Sequence, residues 1–283
     1  MILVTGAAGK TGLAVLSTLG EKGVGVRAFI HTQEQEKLVR QAGAAEVIIG
    51  NLLDAKSLER VVKNIEAIYL ICPNVHPKEF DICMSFIKAA RDAGSKRIVY
   101  HSVLFPQIEA MPHHWQKMRV EEALIQSGLE FTILQPASYM QNILPYWDAI
   151  KGGEYRVPYS IESVFSPVDL GDVAEVASQV LTNKGHESAT YQLAGTERLS
   201  SQQMAELMGA YLGKTVIAQF QPSDDWMETA KDRGMDAYAI EALSNMFSYY
   251  DRYGFSGSGL MLEHLLGRPA TTLTQFLSRL GKR

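Results

Sequence analysis

Val4-Thr5-Gly6-Ala7-Ala8-Gly9-Lys10-Thr11-Gly12 is the stretch on which the reading of this chain turns. It follows an apolar run, Ile2 to Thr5, and leads into Gly12 to Leu19, where apolar residues recur near helical spacing. Glycines between a first strand and a first helix allow a tight turn and let the backbone approach a pyrophosphate. The helix N-terminus then holds the anion through its N–H groups and dipole. The spacing is GxxGxxG rather than GxGxxG, which also suits a plain strand-to-helix turn. Its place at the head of a βαβ run favours a dinucleotide cradle built from Gly6, Ala8, Gly9, Lys10, Thr11 and Gly12.

Outward from this loop, β-rich runs alternate with amphipathic stretches. Strands are expected at Ile2 to Thr5, Val24 to Ile30, Glu46 to Ile49, Ala67 to Ile71, Lys96 to His101 and Glu130 to Gln135. Helices are expected at Gly12 to Leu19, Thr32 to Gln41, Ala55 to Lys63, Phe80 to Ala93 and His113 to Ser127. A run as apolar as Ala67-Ile68-Tyr69-Leu70-Ile71 fits a strand covered on both faces, so the fold class is α/β with a doubly wound parallel sheet. After Pro136 the alternation fades into loops marked by Gly152-Gly153, Pro158 and Pro167. A helix follows Asp169 to Asp172, a strand fits Thr190 to Ala194, and helical pattern dominates from Ser200, including one long stretch from Asp224 to Tyr253 and a terminal helix near Thr271 to Leu280. The expected domains are 1–195, with 136–165 contributing to a substrate pocket, and a smaller, mostly helical C-terminal lobe over 196–283.

Composition narrows the classes. The 283 residues are 46% hydrophobic and 20% charged, which excludes a disordered chain. A formal net charge of -4, without a basic stripe, argues against direct nucleic-acid binding. No run reaches the eighteen apolar residues of a membrane span, and no charged n-region precedes a long apolar segment, so a soluble protein that starts in its first strand is expected. Cys72 and Cys83 fit no CxxC or zinc-ligand spacing and read as small core hydrophobes of a cytoplasmic protein. The seven histidines show no metal-ligand spacing, so no metal is expected.

The C-terminal end of the second strand separates NAD from NADP, because an acid there accepts hydrogen bonds from the ribose 2′-OH. Here it reads Arg27-Ala28-Phe29-Ile30-His31-Thr32, with no acid before Glu34. Lys10, with Arg27 or His31, is placed to neutralise a 2′-phosphate, so NADP is favoured over NAD. Each of these charges also fits a plain solvated surface.

Further segments bring a family into view. Gly50-Asn51-Leu52-Leu53-Asp54, Arg97-Ile98-Val99-Tyr100-His101-Ser102, Glu130-Phe131-Thr132-Ile133-Leu134-Gln135-Pro136, Asn142 and Leu266-Gly267-Arg268-Pro269-Ala270-Thr271-Thr272 stand in this order behind the glycine loop. With them the chain resembles the NmrA-like group of atypical short-chain dehydrogenases/reductases over essentially its full length. The resemblance implies a Rossmann core and a small substrate-binding lobe, in a family holding both reductases and catalytically inert redox sensors. Two positions depart from it: Asn51 stands where the family commonly has Asp beside the adenine, and Gln135 where an Arg before the Pro is usual. Asn51 keeps the capacity to bond an adenine edge, and Asn51 and Leu52 join the cofactor-binding candidates.

In the parent superfamily a Tyr and a Lys four apart on one helix donate the proton and hold the nicotinamide ribose. The resemblance places Lys117 as that Lys, with His113 at the Tyr position; an imidazole titrates near neutrality and suits proton delivery. The bland alternative leaves His113 and His114 solvated and Lys117 paired with Glu121 one turn on. Ser102, near where the superfamily has its catalytic Ser, is a candidate substrate hydrogen-bonder or a strand-terminal cap. Cys72 and Pro73 end the fourth strand at the carboxyl edge, where backbone contact with the cofactor is expected and thiol chemistry is not. Asn74 to Glu79 reads equally as a lid or a surface loop. Asp169 and Asp172 read as helix N-terminal carboxylates rather than catalytic ones. The aromatic run Met246 to Phe255 fits core or subunit contact, and with Tyr139, Met140, Tyr146, Trp147 and Tyr250 it is also a candidate wall for an apolar substrate. The expected function is an NAD(P)H-dependent reductase of a quinone, azo compound, enone or carbonyl. The alternative is a non-catalytic NAD(P) sensor acting through a protein partner, with an oligomer also open.

Overall fold

The computed structural model describes residues 1–73 and 75–281. In chain order the first half runs β1 (Ile2–Val4), α1 (Lys10–Glu21), β2 (Val26–Ile30), α2 (Glu36–Gln41), β3 (Glu46–Ile49), α3 (Ala55–Val61), β4 (Ala67–Leu70), α4 (Glu79–Asp92), β5 (Arg97–His101), α5 (Pro112–Ile125) and β6 (Glu130–Pro136). The second half runs α6 (Trp147–Gly152), β7 (Glu154–Val157), β8 (Val164–Phe165), α7 (Leu170–Thr182), β9 (Ala189–Leu193), β10 (Leu199–Ser200), α8 (Ser201–Leu212), β11 (Ile217–Phe220), α9 (Ser223–Asp232), α10 (Ala237–Tyr253), α11 (Leu260–Leu266) and α12 (Leu273–Leu280). Among the described helices none is long and apolar enough to cross a membrane.

A seven-stranded sheet has the order β3-β2-β1-β4-β5-β6-β9, and β3 through β6 pair in parallel. The order reverses between β1 and β4, and ligands of open α/β sheets bind at the carboxyl ends of strands beside such a switch. Every residue of β1, β2 and β4 is buried, as two-sided cover requires. α4 turns one face inward through Ile82, Cys83, Phe86, Ile87 and Ala90, which join Leu3, Ile68, Ile98 and Val120 in one core.

Two compact units emerge from the contacts: 1–107, 114–135 and 173–191 form one, and 108–113, 136–172 and 192–283 the other. The expected single break near 195 is therefore replaced by several crossings of the chain. The C-terminal region is mostly helical, as expected, but short strands interrupt the second unit: β7 pairs with β11 in parallel and β8 with β10 antiparallel. These strands are two to four residues long, too short for period-2 alternation to register. The long helical stretch from Asp224 also breaks. Gly234 takes φ +76, and Asp236 caps α10 by accepting from the Ala239 N–H at 3.0 Å.

Ser200-Ser201-Gln202-Gln203 and Thr272-Leu273-Thr274-Gln275 close reciprocal capping boxes on α8 and α12. Asp169 and Asp172 do more than cap α7. Asp169 accepts from the Gly171 N–H at 3.0 Å, from Gln141 Nε2 at 2.7 Å and from Arg279. Asp172 accepts from Arg268 at 2.8 Å and from the Thr271 N–H and Oγ1 at 2.7 and 2.9 Å. The Arg268 to Thr272 segment is thus tied to a buried carboxylate. Asp172→Ala is expected to lower the unfolding free energy by roughly 2–3 kcal/mol in urea titrations, because the Thr271 N–H loses its acceptor, whereas surface substitutions stay within about 0.5 kcal/mol.

In the first unit Tyr69 Oη and His101 Nδ1 lie 2.7 Å apart inside the sheet. Burial, with the nearby Lys117 charge adding to it, lowers the His101 pKa to about 3. The unfolded chain takes up a proton below the ordinary value of 6.5 while the folded one does not, so this contribution is intact above about pH 6.5 and is lost on acidification. His101 is expected to remove about 2 kcal/mol of stability between pH 7 and pH 5. Urea unfolding of His101→Gln across that range should show a shallower loss; an unchanged slope would assign the acid sensitivity elsewhere.

Candidate active site

The loop after β1 turns at Gly6, whose φ of +55 is left-handed and whose Cβ, were it present, would press on Ile71 at 3.2 Å. Thr5 latches this loop to its neighbour after β4: its Oγ1 donates to the Ile71 carbonyl and accepts from the Ile71 N–H, both at 2.8 Å. A Cβ on Gly12 would fall 2.6 Å from Ala7 Cα and nearer still to the Gly6 carbonyl, so this glycine lets α1 sit directly on the loop. Gly9 differs. It is exposed at the N-cap of α1, and a Cβ there would meet only the Gly6 carbonyl, at 3.3 Å. Among the described residues the packing leaves that space open, as a cradle for an external group would. No side chain caps α1 and no acid lies in its first turn, so the positive end of the helix dipole faces the same place. These features fit a dinucleotide pyrophosphate.

Around the cradle, His31 is exposed just after β2, and its N–H donates to Gln35 Oε1 at 2.9 Å. Arg27 does not serve a phosphate: it is buried, bonded to Glu46 at 2.7 Å and to the Val61 and Lys63 carbonyls at 2.8 and 2.7 Å. Asn51 folds its Oδ1 onto the Leu53 N–H at 2.9 Å, while Leu52 packs half-buried on the core. Cys72 is buried and Pro73 exposed at the end of the β4 segment. Cys72 Sγ lies 2.8 Å from Cys83 Sγ, and burial, with the Cys72 contact adding, pushes the Cys83 thiol well above its ordinary value, so the sulfurs are partners rather than nucleophiles. Of the segment read as lid or loop, Asn74 lies outside the described residues, and His76 Nδ1 accepts from the Lys78 N–H at 3.1 Å.

Lys117 is buried, and its partner is not Glu121. Its Nζ donates to Glu79 Oε1 at 2.6 Å and lies 5.7 Å from the centroid of the Tyr100 ring, whose hydroxyl donates to the same Oε1 at 3.1 Å. Burial opposes the ammonium, but the Glu79 charge and hydrogen bond outweigh it and hold Lys117 above the ordinary lysine value. Ser102 donates its hydroxyl hydrogen to Glu121, and Gln135 Nε2 donates to both oxygens of that carboxylate at 3.0 Å. Burial raises the Glu121 carboxyl, with Ser102, Gln135 and Lys117 pulling the other way. With its hydrogen committed, Ser102 can meet a ligand only as an acceptor.

His113 and His114 are buried rather than solvated, and His114 Nδ1 lies 3.3 Å from the Phe105 carbonyl oxygen. α5 carries His113 in its first turn, one turn before Lys117. In the second unit Met140 is fully inside an apolar cluster with Ile143, Tyr155 and Met204, against which Trp147 packs half-buried, 6.2 Å from Tyr211. Tyr139 is half-buried and bridges Val168 through its backbone. Tyr250 is buried edge-on to Tyr159 and Phe165, at 5.8 and 5.2 Å. Thr5, Glu79 and Tyr100 take part in the site without a sequence signal that marks their roles. Glu79 carries no local motif; the only hint is an acid opening an amphipathic helix just after a strand.

A model of the NmrA-like family matches residues 1–277. The chain is similar to an NAD(P)H azoreductase of Xenophilus azovorans, 27% identical over 286 residues, covering 98% of this chain and 96% of that one. It is also similar to the Escherichia coli NADPH-dependent quinone oxidoreductase QOR2 solved with NADPH, 25% identical with a TM-score of 0.86, covering 99% and 100%. The Citrobacter triphenylmethane reductase solved with NADP(H), 23% identical and with a TM-score of 0.86 over 99% of both chains, shares the fold. With the glycine cradle at the switch point and the family match spanning nearly the whole sequence, this chain belongs to the NmrA-like family.

Proposed function

We propose that the protein is an NADPH-dependent reductase that passes hydride to a small, aromatic or apolar electrophile such as a quinone, azo compound, enone or carbonyl. The observation that carries the reading is the uncapped N-terminus of α1 above Gly9, beside the β1/β4 switch point, where among the described residues a Cβ on Gly9 would meet only the Gly6 carbonyl. Relatives named azoreductase and quinone oxidoreductase support the acceptor class. When bound, the nicotinamide supplies the hydride.

The chain's own residues then have separate tasks. Gly6, Ala8, Gly9, Thr11 and Gly12 let the backbone close on the pyrophosphate. Lys10 and His31 would neutralise a ribose 2′-phosphate, and no acid before Glu34 would compete for it. Asn51, Leu52, Cys72 and Pro73 would contact the adenosine and nicotinamide ends. Lys117 would hold the nicotinamide ribose, whose position sets the distance and angle of hydride delivery. His113 delivers the proton where the acceptor needs one, since the Ser102 hydrogen is already given to Glu121. Among the apolar candidates, half-buried Tyr139 and Trp147 keep surface to offer a substrate, whereas Met140 and Tyr250 are buried, Met140 in the cluster against which Trp147 packs.

The last two glycines of the loop separate fold from binding. Gly9→Val is expected to fold normally by circular dichroism and to bind NADPH at least tenfold more weakly by calorimetry, about 1.4 kcal/mol. Gly12→Ala should instead cost roughly 1–3 kcal/mol of stability from overpacking. Wild-type affinity in folded Gly9→Val would remove the cradle assignment.

Steady-state NADPH oxidation across a panel of quinones, azo dyes, enones and carbonyls tests turnover, with NADPH expected to bind more tightly than NADH. Lys117→Ala should lower both turnover and cofactor affinity at least tenfold. His113→Phe should slow azo and carbonyl reduction by about 10²-fold or more and leave NADPH affinity unchanged. Tight NADPH binding with no acceptor reduced would favour the non-catalytic sensor.

A further inference from the structure

Glu79 is fully buried, yet no step above uses it. It opens α4 directly after the segment that leaves β4 at the switch point, and its Oε1 accepts from both Lys117 Nζ and Tyr100 Oη. Its Oε2 is buried and accepts no hydrogen bond from the described residues. A half-satisfied buried carboxylate is costly, and replacing a buried ion pair by apolar residues of similar volume is often neutral or stabilising. Stability alone therefore does not explain why this carboxylate faces this lysine.

We propose that Glu79 is the positioning residue that fixes the Lys117 ammonium in place and keeps it charged for the cofactor. The inference rests on the reading of Lys117 as the ribose-holding group. An ammonium 8% exposed loses its hydration, and without a counter-charge burial would favour the neutral amine, which donates poorly and carries no charge. The groups facing Lys117 are Glu79 and Cys83 of α4, Cys72 after β4, Tyr100 and His101 of β5, and Glu121 one turn along α5. Burial holds the Cys83 thiol and the Tyr100 phenol protonated and the His101 imidazole neutral. Glu121 is engaged with Ser102 and Gln135. Glu79 is left as the carboxylate in contact with the ammonium.

The test is the pH profile of Glu79→Gln, which keeps the shape and removes the charge. In the unaltered protein NADPH affinity should change by less than about twofold between pH 7 and pH 9, since the charged lysine persists across that range. In Glu79→Gln desolvation acts unopposed, Lys117 loses its proton at lower pH, and NADPH should bind about tenfold more weakly at pH 9 than at pH 7, with kcat falling more steeply than in the unaltered protein. Glu79→Asp should restore the flat profile, which a purely structural tie between α4 and α5 would not predict. The double variant Glu79→Gln/Lys117→Met leaves no unpaired charge and should bind NADPH weakly at every pH. If that double variant binds and turns over like the unaltered protein, the reading of Lys117 fails. If it is impaired while Glu79→Gln keeps a flat profile, the role of Glu79 fails. Should Glu79→Gln not fold, carbon-13 lysine spectra of the unaltered protein decide: the resonance missing from the double variant should not titrate below about pH 10, and a midpoint below about pH 9 overturns the proposal.

Discussion

The close approach of α1 to the loop after β1 is the constraint from which the candidate site follows. Gly12 touches the loop backbone with no room for a methyl group, so the first turn of α1 is set against Gly6 and Ala7. Gly6 supplies the left-handed turn, and Thr5 pins it to Ile71 across the switch point. With the loop held on both sides, the α1 N-terminus has one direction to face, and Gly9 leaves that direction open. Gly6 and Gly12 thus answer two different demands, backbone conformation and packing, and Gly9 leaves the space that the proposed cofactor would take.

Polar groups concentrate at or just past the carboxyl ends of the central strands. Tyr69 and His101, Glu79 with Lys117 and Tyr100, and Ser102 with Glu121 and Gln135 are all buried and bonded within the first unit. Away from this edge the same strands pack through Ile68, Ile98 and Ile133. Buried polar pairs cost desolvation that apolar packing avoids, so their clustering at one edge of the sheet supports the proposed site there rather than the stability of the fold. Gln135 belongs to this pattern. It gives Glu121 a neutral amide donor, and burial raises that carboxyl.

The second unit rests on a different device. Asp169 and Asp172 reach forward about a hundred residues to Arg279 and to the Arg268 and Thr271 pair, tying the chain end to the start of α7. The motif Val168 to Ala174 and the late segment Leu266 to Thr272 are both visible in the sequence, but nothing local shows that one answers the other.

Alternation of apolar runs and the glycine loop were legible in the sequence because each is a short-range pattern: strand and helix periods, and a turn that needs glycine. The sheet, its helices and the cradle follow from those patterns. Lys117 was legible as a candidate, but its partner was not, since Glu79 lies 38 positions away and the helical neighbour Glu121 is the nearer acid. The same holds for Arg27, which looks like a phosphate ligand until Glu46 and two carbonyls claim it. The strands β7, β8, β10 and β11 are too short to carry a period and form only where their partners meet them. Local pattern decides which element a segment becomes, whereas the charge state and partner of a buried side chain depend on what the fold brings against it, and that is settled only when the elements pack.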